Sequence, residues 1–109
     1  MVARITTREV RDFTTDRIAF VTNGSLRGEW EQERYVVYSY NAPIFCYDRE
    51  ARRWFENSHY HGYSPTTYRH YSAARPRGEV IVVDDEDIDL IRRSGAAYAL
   101  AEQFAGGAA

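Results

Sequence analysis

Hydrophobic and polar positions change rhythm three times along this chain, from a period near two to a period near 3.6, back, and to the longer period again. Positions 35–40, Tyr-Val-Val-Tyr-Ser-Tyr, are β-branched or aromatic except for Ser39 and apolar on both faces, the pattern of a central strand. Asn41-Ala42-Pro43 turns the chain, and 44–47 runs back as the partner strand. A polar turn at 48–52 leads to a third strand at 53–56. Strands this close in sequence pair most simply as an antiparallel meander. Upstream, 18–22 reads as a short strand, and Asn23-Gly24 as a two-residue turn because both residues tolerate positive φ. Residues 26–31 return as the second arm, with Leu26 and Trp30 on one face, although Gly28 weakens that strand. Residues 1–16 hold only isolated apolar anchors, Val2, Ile5, Val10 and Phe13, and predict a weakly ordered N-terminal arm.

The period lengthens after residue 63. Ser64 has the properties of an N-cap, and Pro65 pre-sets φ at the first helical position while steering Ser64 away from the α conformation. Thr67, His70, Tyr71 and Ala74 follow i, i+3, i+4, i+7 spacing and form the face turned toward the sheet. Arg75-Pro76-Arg77-Gly78 stops this helix, predicted over 65–75. Residues 79–83 are a short apolar run of strand length. Five acids in the six residues 84–89, then Arg92 and Arg93, then Gly95, complement a helix dipole and end it, which predicts a helix over 85–94. A second helix is expected over 96–105, with Ala97, Leu100, Ala101 and Phe104 on one side, before a tail at 106–109. The fold class is therefore α+β. One domain over 1–109 is expected, its antiparallel sheet within 17–83 packed against helix 65–75 and the C-terminal helices of 84–105.

Composition narrows the setting. At 109 residues the chain supports one modest core, and a net charge of −2 gives no global pull toward nucleic acid or acidic membrane. All fourteen cationic side chains are arginine, whose planar fork suits carboxylate, phosphate and aromatic faces. The single cysteine, Cys46, excludes an internal disulfide and a CxxC motif, and its strand context predicts a small buried residue. No stretch approaches the roughly 18 apolar residues of a membrane span, and the N-terminus lacks a leader-like apolar run, so a soluble intracellular protein is expected without a membrane partner.

Candidate chemistry concentrates in residues 34–71, which hold eight of the nine tyrosines and all three histidines. His59, His61 and His70 are weak candidates for a metal site, with help from a carboxylate such as Glu56; no cofactor is expected. Thr66 and Thr67 stand one helical turn before His70, the spacing of a nucleophile and its base, but capping already accounts for Ser64 and Thr67. The same first turn can hold a phosphate or carboxylate through exposed N–H groups and hydroxyls. Tyr63, Ser64, Thr66, Thr67, Arg69 and His70 are therefore the candidate ligand- or partner-binding residues. Asp85-x-Asp87-x-Asp89 lacks the glycine and the distal glutamate of a calcium loop. Arg69, Arg75 and Arg77, with Arg49, Arg52 and Arg53, are candidates for a basic aromatic surface on nucleic acid.

The motif Tyr35 to Ile44, preceded by Ser25-Leu26-Arg27-Gly28-Glu29-Trp30 and followed by Asp48, Trp54 and Tyr63-Ser64-Pro65-Thr66-Thr67-Tyr68-Arg69-His70, resembles a family of small uncharacterised proteins of tailed phages and prophages. The resemblance covers residues 25–71 and departs from the family pattern at Phe45-Cys46 and Tyr71-Ser72. It implies a phage origin and the host cytoplasm, and it brings no catalytic residues. The expected function is a non-enzymatic accessory protein that binds a host or defence factor, either a protein or a small anionic ligand. A nucleic-acid binder and a small metal-dependent or hydrolytic enzyme are the alternatives.

Overall fold

In the computed structural model, which describes residues 2–95, seven strands form one sheet whose spatial order follows the chain. The strands are β1 (Ala3–Arg4), β2 (Phe20–Val21), β3 (Leu26–Glu31), β4 (Arg34–Ser39), β5 (Ala42–Asp48), β6 (Arg53–Asn57) and β7 (Val80–Val83). Three helices join them: α1 (Val10–Thr15), α2 (Pro65–Ala74) and α3 (Asp85–Ser94). Pairings from β2 to β6 are antiparallel, as the spacing predicts. The two outermost pairings, β1 with β2 and β6 with β7, are parallel and enclose α1 and α2 as crossovers. The expected helix over 96–105 and the tail over 106–109 lie outside the described residues.

Period-two alternation in β4 divides the core in two. Tyr35 and Val37 point to one face, where Val10 of α1 and Tyr71 and Ala74 of α2 cover them together with Leu26, Phe45 and Trp54. Val36 and Tyr38 point to the other, against Cys46, Phe55 and the α3 residues Ile88 and Ile91. Trp54 is the hub of the first face, its ring meeting those of Tyr35 at 5.9 Å, Phe45 at 6.4 Å and Tyr47 at 5.3 Å. A bulge in β5 explains why the alternation blurs there. The register passes from Val37 opposite Phe45 to Tyr38 opposite Pro43, so Ile44 is an extra residue and enters the same core as Phe45. Cys46 is the small buried residue expected of it, and burial pushes its thiol up to about 12.

Several expectations are corrected. Of the N-terminal arm expected over 1–16, the described residues 2–16 are not loose: Ile5 and Val10 are buried, a 3₁₀ turn at Thr7–Glu9 runs into α1, and β1 extends the sheet. The strand expected over 18–22 shrinks to Phe20–Val21, leaving Ile18 exposed. Neither Asn23 nor Gly24 takes positive φ; among non-glycine residues it falls at Arg17, Gln32, Tyr40 and Arg52, and Gln32 (φ 58°) and Tyr40 (φ 59°) each open a two-residue loop between paired strands. Tyr40 therefore leaves the strand it was expected to end. Gly28, suspect as a strand residue, is required by packing. A Cβ there would stand 2.4 Å from the Tyr35 hydroxyl and 2.5 Å from the Phe20 ring.

Candidate functional site

Helix α2 begins as its sequence dictates. Ser64 is extended, and its Oγ accepts from the Thr67 backbone N–H at 3.1 Å. Tyr68 N–H closes on the Ser64 carbonyl at 3.0 Å, so this first turn is well satisfied. Thr67, Tyr71 and Ala74 are buried against the sheet as predicted, whereas His70 is half-buried at the helix flank. His70 Nδ1 lies 2.6 Å from Ser39 Oγ at the end of β4, and its ring packs tilted against Tyr40 at 5.7 Å. Partial burial holds the His70 imidazole below its usual pKa of 6.5. A neutral ring at pH 7 suits a hydrogen bond to a hydroxyl.

The start of α2 and the β4–β5 turn enclose a cleft of about 580 Å³. Tyr63, Ser64 and Thr67 line one side and Ser39, Tyr40 and Asn41 the other, with Ala42 and Tyr60 between them. Tyr63 is 73% exposed and packs edge-on against Tyr60 at 5.8 Å, a rim that leaves one ring face open. Of the six residues the sequence nominated, Tyr63, Ser64 and Thr67 line the cleft and His70 supports it from Ser39. Thr66 and Arg69 are exposed and do not line it. The pairing of Thr66 or Thr67 with His70 as nucleophile and base is not formed, because His70 is engaged by Ser39, 31 residues away. Ser39, Tyr40 and Asn41 escaped sequence reasoning. The available signal was Ser39 itself, the one small polar side chain in a strand otherwise aromatic and β-branched after Arg34.

The three histidines stand apart. His61 Nε2 donates to Glu56 at 2.5 Å, and Arg75 clamps the same carboxylate, one contact being 3.2 Å from Nη2. Glu56 is 2% exposed, so this arrangement ties β6 to the end of α2 with a paired buried charge. His59 packs its ring against Tyr60 at 4.7 Å. Among the described residues no group of three or more histidine, cysteine or acidic side chains is placed to hold a metal ion. The acidic run at 84–89 is a helix start, with Asp84 accepting from the Asp87 N–H at 2.8 Å. The candidate basic surface is divided: Arg75 serves Glu56, Arg77 pairs with Asp12 at 2.6 Å, and Arg49 and Arg52 lie at the far end of the sheet.

Fold and cleft together define a small α+β protein with a cleft lined by tyrosine and other hydroxyl-bearing residues. Residues 6–89 match a family of unknown function, DUF8033, and the chain belongs to that family. No curated protein and no solved structure matches the chain. Among the described residues no helix is long and apolar enough to cross a membrane.

Proposed function

We propose that this protein acts by binding, and that the cleft between the β4–β5 turn and the start of α2 receives a small anionic ligand. The observation that carries this reading is the composition of the cleft wall. The hydroxyl-bearing residues Ser39, Tyr40, Tyr60, Tyr63, Ser64 and Thr67 line it with Asn41, and among the described residues no carboxylate does. Helix α2 begins at this cleft, with Ser64 and Thr67 of its first turn on the wall, so the positive end of its dipole lies there. Tyr40 adds a second reason. A non-glycine residue held at φ 59° is strained, and such strain concentrates where a side chain must be presented in a fixed pose. The resemblance of residues 25–71 to phage and prophage proteins supports a setting in the host cytoplasm, with the ligand drawn from host or defence chemistry.

Equilibrium dialysis of the protein against a bacterial small-molecule extract, read by mass spectrometry, tests this. A phosphate- or carboxylate-bearing compound retained by the wild type and lost from Tyr63→Ala is expected. Retention by both proteins, or by neither, overturns the reading.

A further inference from the structure

We infer that the opposite end of the sheet carries a second site, which takes a nucleotide of a single-stranded nucleic acid. Strand β4 runs from Arg34 to Ser39, so its two ends lie roughly 17 Å apart. At the Arg34 end, Arg17, Arg49, Arg52, Trp30 and Tyr47 surround a cleft of about 400 Å³, with Asp16 its one acid. This is within the size range of small-ligand pockets. Aromatic faces and guanidinium groups already interleave: Arg17 lies 4.3 Å over Tyr47 and Arg49 lies 5.3 Å over Trp30. Stacked guanidiniums keep donors in their plane for phosphate oxygens. Arg17 spends one on the Thr15 carbonyl at 3.1 Å, and Arg52 has no side-chain partner among the described residues. Beyond its stacking on Trp30, Arg49 forms one ion pair among the described residues, with the exposed Glu33 at 3.6 Å, a contact a phosphate can displace.

The backbone supports the same conclusion. Arg17 and Arg52 both hold left-handed φ, 55° and 54°, although no glycine occupies either turn. Trp30 is fixed by its indole N–H, which donates to the Arg17 carbonyl at 2.9 Å. Two strained arginines and an anchored tryptophan thus share one cleft. Base stacking on Trp30 or Tyr47 with phosphates on Arg49 and Arg52 is how sequence-tolerant single-strand binders work. The exposed apolar content of this end, Ile18 and Trp30, is small for a protein contact of about 800 Å² per partner.

Trp30 provides the readout, since the other tryptophan, Trp54, is buried. Titration with an oligothymidylate of about ten nucleotides at low salt should quench Trp30 fluorescence. The logarithm of affinity should fall with the logarithm of salt at a slope of about −1.4 for two phosphates. Arg49→Glu with Arg52→Glu should weaken binding at least tenfold, and Arg69→Glu, at the other end, should leave it unchanged. Absence of quenching and of a gel shift at low salt overturns the proposal and leaves the patch to a protein partner. Equal binding by the double variant overturns it as well. Equal affinity for thymidine monophosphate overturns the strand and assigns the cleft to free nucleotides.

Discussion

The two ends of the sheet are built from the same strands and share almost no chemistry. One end is hydroxyl and tyrosine around the start of a helix, with a neutral histidine behind it. The other is arginine, tryptophan and tyrosine around three turns. Both use a left-handed non-glycine residue to present side chains, Tyr40 at one end and Arg17 and Arg52 at the other. The difference teaches that a meander separates its turns into two clusters by parity. Turns on the Ser39 side supply hydroxyl-bearing residues to one cleft, and turns on the Arg34 side supply three arginines to the other. The strands between them keep the clusters a fixed distance apart.

Breaking the shared middle has the largest effect. Val37 is fully buried in the first core, and Val37→Asp places an unpaired charge there. The cost exceeds about 4 kcal/mol, and circular dichroism should show no cooperative melting transition. Gly28→Val comes next and acts on the arginine side. Its new Cβ collides with Phe20 and with Tyr35, whose hydroxyl donates to the Ile18 carbonyl at 2.7 Å. A loss of about 1–3 kcal/mol is expected from urea midpoints, with the proposed anion binding on the Ser39 side unaffected.

Ser64→Ala acts on the hydroxyl side alone. Loss of the cap costs about 1 kcal/mol, measurable by chemical denaturation, and leaves oligonucleotide binding intact. Tyr40→Gly sharpens the comparison further. Relief of roughly 1–2 kcal/mol of left-handed strain is set against roughly 0.5–1 kcal/mol of added chain freedom. Stability should therefore change little while ligand retention in the first cleft is lost. The smallest effect is one of pH. The folded pKa of His70 is lowered, so below 6.5 the unfolded chain binds the proton more readily than the folded one. His70 thus favours folding fully above pH 6.5, and that contribution is lost as pH falls toward its folded pKa. His70→Phe should flatten the melting temperature across that window.

The elements legible in the sequence were those with local causes. The β4–β5 hairpin announces itself through β-branched and aromatic residues, and α2 and α3 through caps, proline and charge order. The N-terminal segment was missed because a 3₁₀ turn and a six-residue helix are too short to display a period. The left-handed turns were missed because arginine, glutamine and tyrosine stand where glycine or asparagine is the usual signal. The candidate site was half legible for a related reason. Tyr63, Ser64 and Thr67 belong to the helix start, whereas Ser39 and Tyr40 reach it only through tertiary packing of α2 on β4. Likewise, the Glu56 clamp joins residues 19 positions apart, a distance over which sequence pattern carries no register.

Because strand order follows chain order, the fold also has an assembly sequence written into it. Each hairpin from β3 to β6 closes a loop of a few residues, so this stretch can zip outward from one nucleus at little entropic cost. The flanking strands must wait for their helices. β1 joins β2 across 17 positions, and β7 joins β6 across 26, as the pairings Ala3 with Phe20 and Trp54 with Val80 require. Mutations in the β4–β5 hairpin should then slow refolding, while mutations in β7 mainly speed unfolding. In hydrogen exchange the edges should open first and the Tyr35 to Phe45 ladder last.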